Sequence, residues 1–477
     1  MSVSGEKAGT ALDRVIQSLA GLADTLPDAE RELLYPAVLA QLDPADRLRA
    51  SSDSTQLFNP AELRLVERLD AVPVEVPPRG RGLTLIVKGT RLCNLRCSYC
   101  NDWRAGPDQT MRLPVLAHTL LKALRHSNPA VLDVVWHGGE TTLLPRRFYE
   151  RALYLQSRFR QPGTIIRNEI QTNATRIDAE WAAFLARHSF SVGISLDGPA
   201  EIHDRTRRYV SGAGSFADVL RGVRVLRDHG IEPSVLMVLD EEALALGPRR
   251  IFDFFLEAGL PRFGLLPVKP PNNPSAAPGT PADRYVDPPR FMAFMTELDD
   301  IWREHGDPDV HIRELEVLRR KVAGTRHRPC TLAGGCLGAY YLVEPDGRVA
   351  HCDLFLGDER YTLGNVLTQD FLSMAASPAM EALREANEHA LEGMRRCPGF
   401  DVCQGWCPHE RYTSARHNPS HRADCCGLLP LIDHVRARPV PLDADGIPQP
   451  RDLLPDPCTD SGDPPRRARQ FRPRERV

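Results

Sequence analysis

Between residues 83 and 266, short apolar and β-branched runs alternate with longer stretches of helical periodicity. The runs are Leu83 to Val87, Val131 to Trp136, Ile165 to Ile170, Ser191 to Leu196, Ser234 to Val238 and Arg262 to Leu266. Between them, Pro114 to His126, Arg147 to Phe159, Ala179 to His188, Phe216 to His229 and Arg249 to Ala258 space their apolar residues for one buried helix face. A near-continuous apolar run suits a strand buried on both sides, and strands separated by helices require a parallel sheet. The rhythm predicts an α/β fold built on a partial six-stranded, (β/α)6 TIM-like barrel, and an open doubly wound sheet satisfies it too.

The flanks differ. Leu12, Val15, Ile16, Leu19, Leu22 and Leu26 trace one face of a helix over residues 11–26. A second helix should begin after Asn59, with Pro60 at its first position and Leu63, Val66 and Leu69 inward. Pro73, Pro77, Pro78, Gly80 and Gly82 then break the pattern, so residues 1–80 read as a helical extension and 81–310 as the barrel unit. Pro267 to Pro289 reads as a long loop or lid, followed by a helix from Pro289 to Glu304. A cysteine-dense unit fills 311–430, and the Pro- and Arg-rich segment 431–477 ends in PPRRARQFRPRERV, which reads as a largely disordered, solvated tail.

Composition narrows the function classes. A chain of 477 residues exceeds one core, which agrees with two or three units. A formal net charge of -3 supplies no field to recruit nucleic acid or an anionic membrane, and no apolar run approaches a bilayer span. The start, MSVSGEKAGT, lacks a secretory signal, which predicts a cytoplasmic protein. In that reducing setting the 12 cysteines serve metals or redox chemistry rather than disulfides.

The decisive cysteines are Cys93, Cys97 and Cys100 in the segment CNLRCSYC, directly after the first predicted strand. Three thiolates on one short loop can hold three irons of a 4Fe-4S cluster and leave the fourth iron open to a small molecule. A zinc site or three buried thiols is the plainer alternative. The segment resembles the CxxxCxxC signature of the radical S-adenosylmethionine superfamily, in the CxxxCxYC form of its SPASM-containing members. That resemblance implies a catalytic 4Fe-4S cluster whose open iron chelates S-adenosyl-L-methionine.

Other segments extend the resemblance at predicted strand ends, where barrels of this kind place their active sites. His137-Gly138-Gly139-Glu140 resembles the GGE motif that binds the cosubstrate's ammonium, although Thr141 stands where proline is usual. Gln171-Thr172-Asn173, Ser195-Leu196-Asp197-Gly198-Pro199 and His203-Asp204 with Arg207 resemble the QTN, SLDGP and HDxxR segments of SPASM-type maturases. The implied cosubstrate set is Tyr99, Gly138, Gly139, Glu140, Thr172, Asn173, Ser195, Asp197 and Arg207; Asp197 serves equally as a turn cap. Leu265, Leu266 and Pro267 are implied to line the adenine pocket, or simply to pack the core.

The C-terminal cysteines resemble a SPASM iron–sulfur domain. On its template Cys330, Cys336, Cys352 and Cys407 hold one auxiliary 4Fe-4S cluster, and Cys397, Cys403 and Cys425 or Cys426 serve a second. The cysteine usual three positions before Cys397 is Met394 here, so the second cluster has an open iron, a noncysteine ligand or a smaller core. Cys458, in the tail, is unligated on this reading. The segment HCDLFLGDERYTLGNV resembles that of anaerobic sulfatase-maturing enzymes, which implies that Asp353 is the base acting on the substrate; a carboxylate that hydrogen-bonds the neighbouring cluster is the equal alternative. His409, Glu410 and Arg411 read as supporting or surface residues.

The resemblance covers about residues 83 to 430 and implies hydrogen abstraction from an unactivated carbon of a peptide or protein, with electrons from a flavodoxin or ferredoxin. The expected substrate is a ribosomally made precursor peptide, oxidatively cross-linked between side chains. The alternatives are formylglycine formation on a sulfatase, dehydrogenation of a small molecule, and a noncatalytic electron carrier or zinc scaffold.

Overall fold

The computed structural model describes residues 54–100, 102–270, 285–324, 336–352, 359–443 and 446–450. The helix expected over 11–26, Cys330, Asp353, Cys458 and the basic end of the tail lie outside the described residues; the start of the expected disordered tail is instead a helix, Leu429–Ala437, held by burial of Leu431, Ile432 and Val435.

All six expected strands form: β1 (Gly80–Lys88), β2 (Pro129–His137), β3 (Ile165–Thr172), β4 (Ser191–Ser195), β5 (Ser234–Leu239) and β6 (Arg262–Pro267). They pair in parallel and in chain order, and a two-residue strand β7 (His311–Ile312) adds to β6. The sheet does not close. Beyond β1 it continues into β8 (Tyr340–Val343), β9 (Arg348–Ala350) and β10 (Thr362–Asn365). Strand β8 runs parallel to β1, with Thr84 opposite Tyr340 and Val87 opposite Val343, and then turns back through β9. The cysteine-rich unit is therefore joined to the barrel by main-chain hydrogen bonds as well as by side chains.

Periodicity placed the core correctly. Leu85, Val87, Leu132, Val134, Ile170, Ile194, Met237 and Leu265 are fully buried on the strands, each stabilising the fold by about 1.5–3 kcal/mol through removal from water. Helix α1 (Pro60–Ala71) opens with a capping box: Asn59 Oδ1 accepts from the amides of Ala61 and Glu62, and Glu62 answers the Asn59 amide at 2.9 Å. Its Val66 and Leu69 pack inward. Asp70, near its end, pairs with Arg125 and Arg158, which fastens the described part of the N-terminal extension to the barrel's outer layer.

Successive helices cover the sheet, among them α2 (Leu113–Leu121), α3 (Arg146–Phe159), α4 (Ala200–Thr206), α5 (Pro288–His305), α6 (Arg313–Val322), α7 (Pro378–Met394) and α8 (Pro408–His417). The expected helix over 114–126 ends in a π-type turn, Lys122–His126. Because the strands are parallel, their C-terminal ends Lys88, His137, Thr172, Ser195, Leu239 and Pro267 gather at one mouth.

Candidate active site

The loop after β1 carries Cys93, Cys97 and Cys100 across this mouth. It is stapled to the segment after α4: the amides of Arg96 and Ser98 donate to the carbonyls of Arg208 and Thr206, and Leu95 bridges to Tyr209. Leu95 itself is 1% exposed and anchors the loop. Within the loop, the Leu95 amide donates to Cys93 Sγ and the Asp102 amide to Cys100 Sγ, both at 3.3 Å.

After β2, Gly138 and Gly139 have φ of +98° and +49°. A Cβ on Gly139 would sit 2.0 Å from the carbonyl oxygen of Leu92, so the chain passes the cysteine loop with no room for a side chain. Glu140, 1% exposed, accepts from Thr142 N and Oγ1, Thr172 Oγ1 and Asn173 N at 2.5–2.9 Å. Its carboxylate thus ties the end of β2 to the end of β3. Asn173 continues the chain of contacts by donating to Asn94 Oδ1 at 3.0 Å, and Gln171 donates to Ser195 Oγ at 3.0 Å.

Asp197 is completely buried behind the mouth. Its Oδ2 accepts from Tyr99 Oη at 2.5 Å, Thr206 Oγ1 at 2.9 Å and Arg207 Nε at 2.9 Å, and its Oδ1 from Val238 N at 3.0 Å. Burial pushes this carboxyl up, but Arg207, His203 and these donors outweigh it and hold Asp197 below the ordinary carboxylate range. Arg207 also places a guanidinium nitrogen 3.8 Å from Cys97 Sγ. His203 receives the Asp197 amide on Nδ1 and faces Ser215 through Nε2. Because the Ser215 hydroxyl donates to the Arg207 carbonyl, the ring's proton resides on Nε2.

A further network was not read from the sequence. Lys88 Nζ, fully buried, donates to Asp102 Oδ2 at 3.0 Å and to His137 Nδ1 at 2.7 Å. Arg91 pairs with Asp102 and, from the far side, with Glu344 at the end of β8. Only a charge pattern brought together by folding carries that signal, since Glu344 is remote in sequence.

These elements enclose a cavity of about 630 Å³. Its wall includes all three cysteines of the loop, Tyr99, Gly138, Gly139, Glu140, Thr172, Asn173, Ser195 and Arg207, with Gln171, Leu266, Pro267, Lys269 and His409. Two expected residues stand elsewhere. Asp197 lies behind the wall and acts on it through Tyr99 and Arg207, while Leu265 points into the core and is fully buried.

The donor set fits an iron–sulfur cluster. Burial pushes the thiols of Cys93 and Cys97 up to about 12 and about 11, so thiolates at these two positions require a positive group beside them. The amide donors and Arg207 already point at these sulfurs, as they do where sulfur must carry charge.

In the C-terminal unit, Cys336, Cys352 and Cys407 meet around a second, small cavity with Tyr340, His351, Pro408 and His409. Cys352 takes a left-handed φ of +69°. His351 contributes an Nε2 that lies 3.7 Å from Cys336 Sγ, its Nδ1 being engaged with the Tyr340 carbonyl. Of the remaining cysteines, Cys403 hydrogen-bonds Cys426, which lowers Cys403 to about 7 and raises Cys426. Cys425 instead accepts from the Gly427 amide at 3.4 Å, so the adjacent pair divides its sulfurs between two directions. Arg422 lies within electrostatic reach of both Cys425 and Cys397. Met394, in the usual cysteine position, is 2% exposed and belongs to the apolar core.

The family models match this layout. The radical SAM superfamily model matches residues 87–243, and the SPASM iron-sulfur cluster-binding domain model matches 336–398. This chain is a radical SAM enzyme with a SPASM domain. It is 28% identical to the serine-type anaerobic sulfatase-maturating enzyme of Bacteroides thetaiotaomicron over 75% of this chain and 90% of that one. With the cysteine-type anaerobic sulfatase-maturating enzyme of Clostridium perfringens strain 13 it shares 26% identity, over 68% and 88%. The solved structure of native anSMEcpe with bound AdoMet and Cp18Cys peptide superposes with a TM-score of 0.66 at 25% identity, covering 76% of this chain and 98% of that one.

As a radical SAM enzyme the chain uses 4Fe-4S clusters and S-adenosyl-L-methionine, which makes the zinc-scaffold alternative untenable. Among the described residues no helix is long and apolar enough to cross a membrane.

Proposed function

We propose that this radical SAM enzyme oxidises a cysteine or serine side chain of a sulfatase-type protein substrate to formylglycine. The observation that carries the reading is a single cavity with the open-site cysteine trio on one side and, behind Lys269 and His409 on the other, the Cys336–Cys352–Cys407 trio. Two cluster sites flanking one substrate space suit an oxidation that removes a hydrogen atom at one end and an electron at the other. The names and coverage of the relatives favour sulfatase maturation over the cross-linking of a precursor peptide, which was the first expectation from sequence.

The cluster and its cosubstrate supply, when bound, the radical that removes the hydrogen. The protein's own groups orient and enclose. Cys93, Cys97 and Cys100 would hold the catalytic cluster; Gly138 and Gly139, pressed against the cysteine loop, would offer bare backbone on the cavity wall to the cosubstrate's amino end; Ser195 and Arg207, on the same wall, would meet its ribose and carboxylate. Glu140, Thr172 and Asn173 lock two strand ends so that this wall keeps its shape, and Asp197 fixes Tyr99 and Arg207. Asp353 accepts the proton of the substrate hydroxyl or thiol, and a flavodoxin or ferredoxin delivers the priming electron; serine then gives the aldehyde directly, whereas cysteine gives a thioaldehyde that water hydrolyses with release of hydrogen sulfide.

The test is anaerobic incubation of the reconstituted enzyme with S-adenosyl-L-methionine, reductant and sulfatase-derived peptides containing cysteine or serine. A serine peptide should lose two hydrogens and become reactive toward a hydrazide. Turnover of a small molecule without peptide, or a two-hydrogen loss that leaves no aldehyde but a new cross-link, refutes the assignment.

A further inference from the structure

The wall between the two cavities contains a buried ion pair that neither the family motifs nor the reaction proposed above uses. Lys269, two residues beyond β6, lines the large cavity and pairs with Glu410, the third residue of α8. Both side chains are largely buried, at 15% and 12% exposure. Glu410 follows Cys407 by three positions, and the amides of His409 and Glu410 donate to the Cys407 sulfur. The ammonium of Lys269 also lies within electrostatic reach of Cys407 and Cys352. A cation and an anion thus sit side by side next to two of the three sulfurs gathered around the small cavity, in surroundings that water screens little.

We propose that Lys269 and Glu410 are opposing electrostatic set-points for the auxiliary cluster held by Cys336, Cys352 and Cys407, the lysine raising its reduction potential and the glutamate lowering it. Adding an electron makes a cluster more negative, so a nearby cation favours the reduced form and a nearby anion the oxidised form. The two charges also differ in what they touch. Lys269 faces the substrate space, whereas Glu410 belongs to the helix that carries Cys407. Burial works against the charge on Lys269, but Glu410 and the cysteine sulfurs outweigh it and keep the ammonium protonated. A permanent positive charge between substrate and cluster is placed where it favours electron flow toward the cluster. This role rests on the iron–sulfur assignment of the C-terminal cysteines and is independent of which substrate is oxidised.

The test is an EPR-monitored redox titration of the reconstituted full-length chain. The signal that does not respond to S-adenosyl-L-methionine is followed in the wild type and in Lys269→Met, Lys269→Arg and Glu410→Gln. Lys269→Met should shift the midpoint to lower potential, Glu410→Gln should shift it to higher potential, and Lys269→Arg should restore the wild-type value. A purely structural ion pair predicts shifts of the same sign when either partner is lost. Same-sign shifts, or none in the variants that retain full iron content, overturn the proposal.

Discussion

Replacing Asp197 with asparagine changes one oxygen for an amide nitrogen and tests how the cosubstrate wall is held. In the wild type, Asp197 Oδ2 accepts from Tyr99, Thr206 and Arg207 at once, and Oδ1 accepts from Val238. An asparagine that keeps its oxygen on Val238 presents an NH2 group to three donors. The hydroxyls can turn: Thr206 has the carbonyls of His203 and Ile202 within 3.3 and 3.4 Å. Arg207 cannot, since a guanidinium only donates, and it is 8% exposed beside a carboxylate that is fully buried. Removing one partner from such a pair costs about 3–5 kcal/mol, or roughly two to four decades in the folding equilibrium. Spread over a barrel of this size, that lowers Tm by about 6 °C or more.

The assay is thermal unfolding of the anaerobically reconstituted protein, with iron content measured alongside. Asp197→Asn should unfold early and lose iron first from the Cys93 loop, because Arg207 and Tyr99 connect the two sites. The double variant Asp197→Asn with Arg207→Met, which removes both charges, should be less destabilised than the sum of the singles. Additive losses, or a single variant within about 1 kcal/mol of wild type, would show that the buried charge does not hold this wall.

Three further outcomes follow from the same geometry. Gly139→Ala puts a Cβ onto the Leu92 carbonyl at a left-handed φ, so it should abolish S-adenosyl-L-methionine binding by equilibrium dialysis while leaving the C-terminal irons in place. Burial, aided by Arg207 and opposed by Asp197, lowers His203 from 6.5 to about 4, so protonation favours the unfolded chain; stability present above pH 6.5 should fall by about 3 kcal/mol as pH drops toward 4, and His203→Gln should flatten that slope in urea titrations. Glu344→Gln removes the charged partner that Arg91 finds just after β8 and should cost about 1.5–3 kcal/mol, seen as faster iron loss from the Cys93 loop under chelator; an unchanged rate would show that the C-terminal unit gives the loop no support.

What the sequence made legible was what local physics controls. The six strands and their helices follow from periodicity, the capping of α1 from Asn59, Pro60 and Glu62, and the cysteine trio from its spacing on a loop after the first strand. Residues whose role depends on distant partners were less readable. The resemblance implies only a cosubstrate contact for Glu140, but on the cavity wall its carboxylate also accepts four hydrogen bonds from residues 142, 172 and 173, a strand-tying role that depends on partners distant in sequence. Leu265 and Leu266 adjoin in sequence, but alternation along β6 sends one into the core and the other to the cavity. Adjacency does not distinguish Cys425 from Cys426, whereas their partners do: Cys425 accepts from the Gly427 amide and Cys426 meets Cys403. Lys88, Arg91 and Lys269 gave no periodic signal because each is buried only by a partner from another element.

The parallel seam between β1 and β8 has a consequence for how the chain is made. Its two strands lie roughly 250 residues apart, so at about 5–20 residues per second a ribosome needs on the order of 10–50 s to deliver the second after the first. Throughout that interval the outer edge of β1, Thr84 to Val87, faces the cell with unpaired backbone groups on an apolar strand. Nascent chains truncated before Tyr340 should therefore be the aggregating species, and chains that extend past Asn365 the soluble ones.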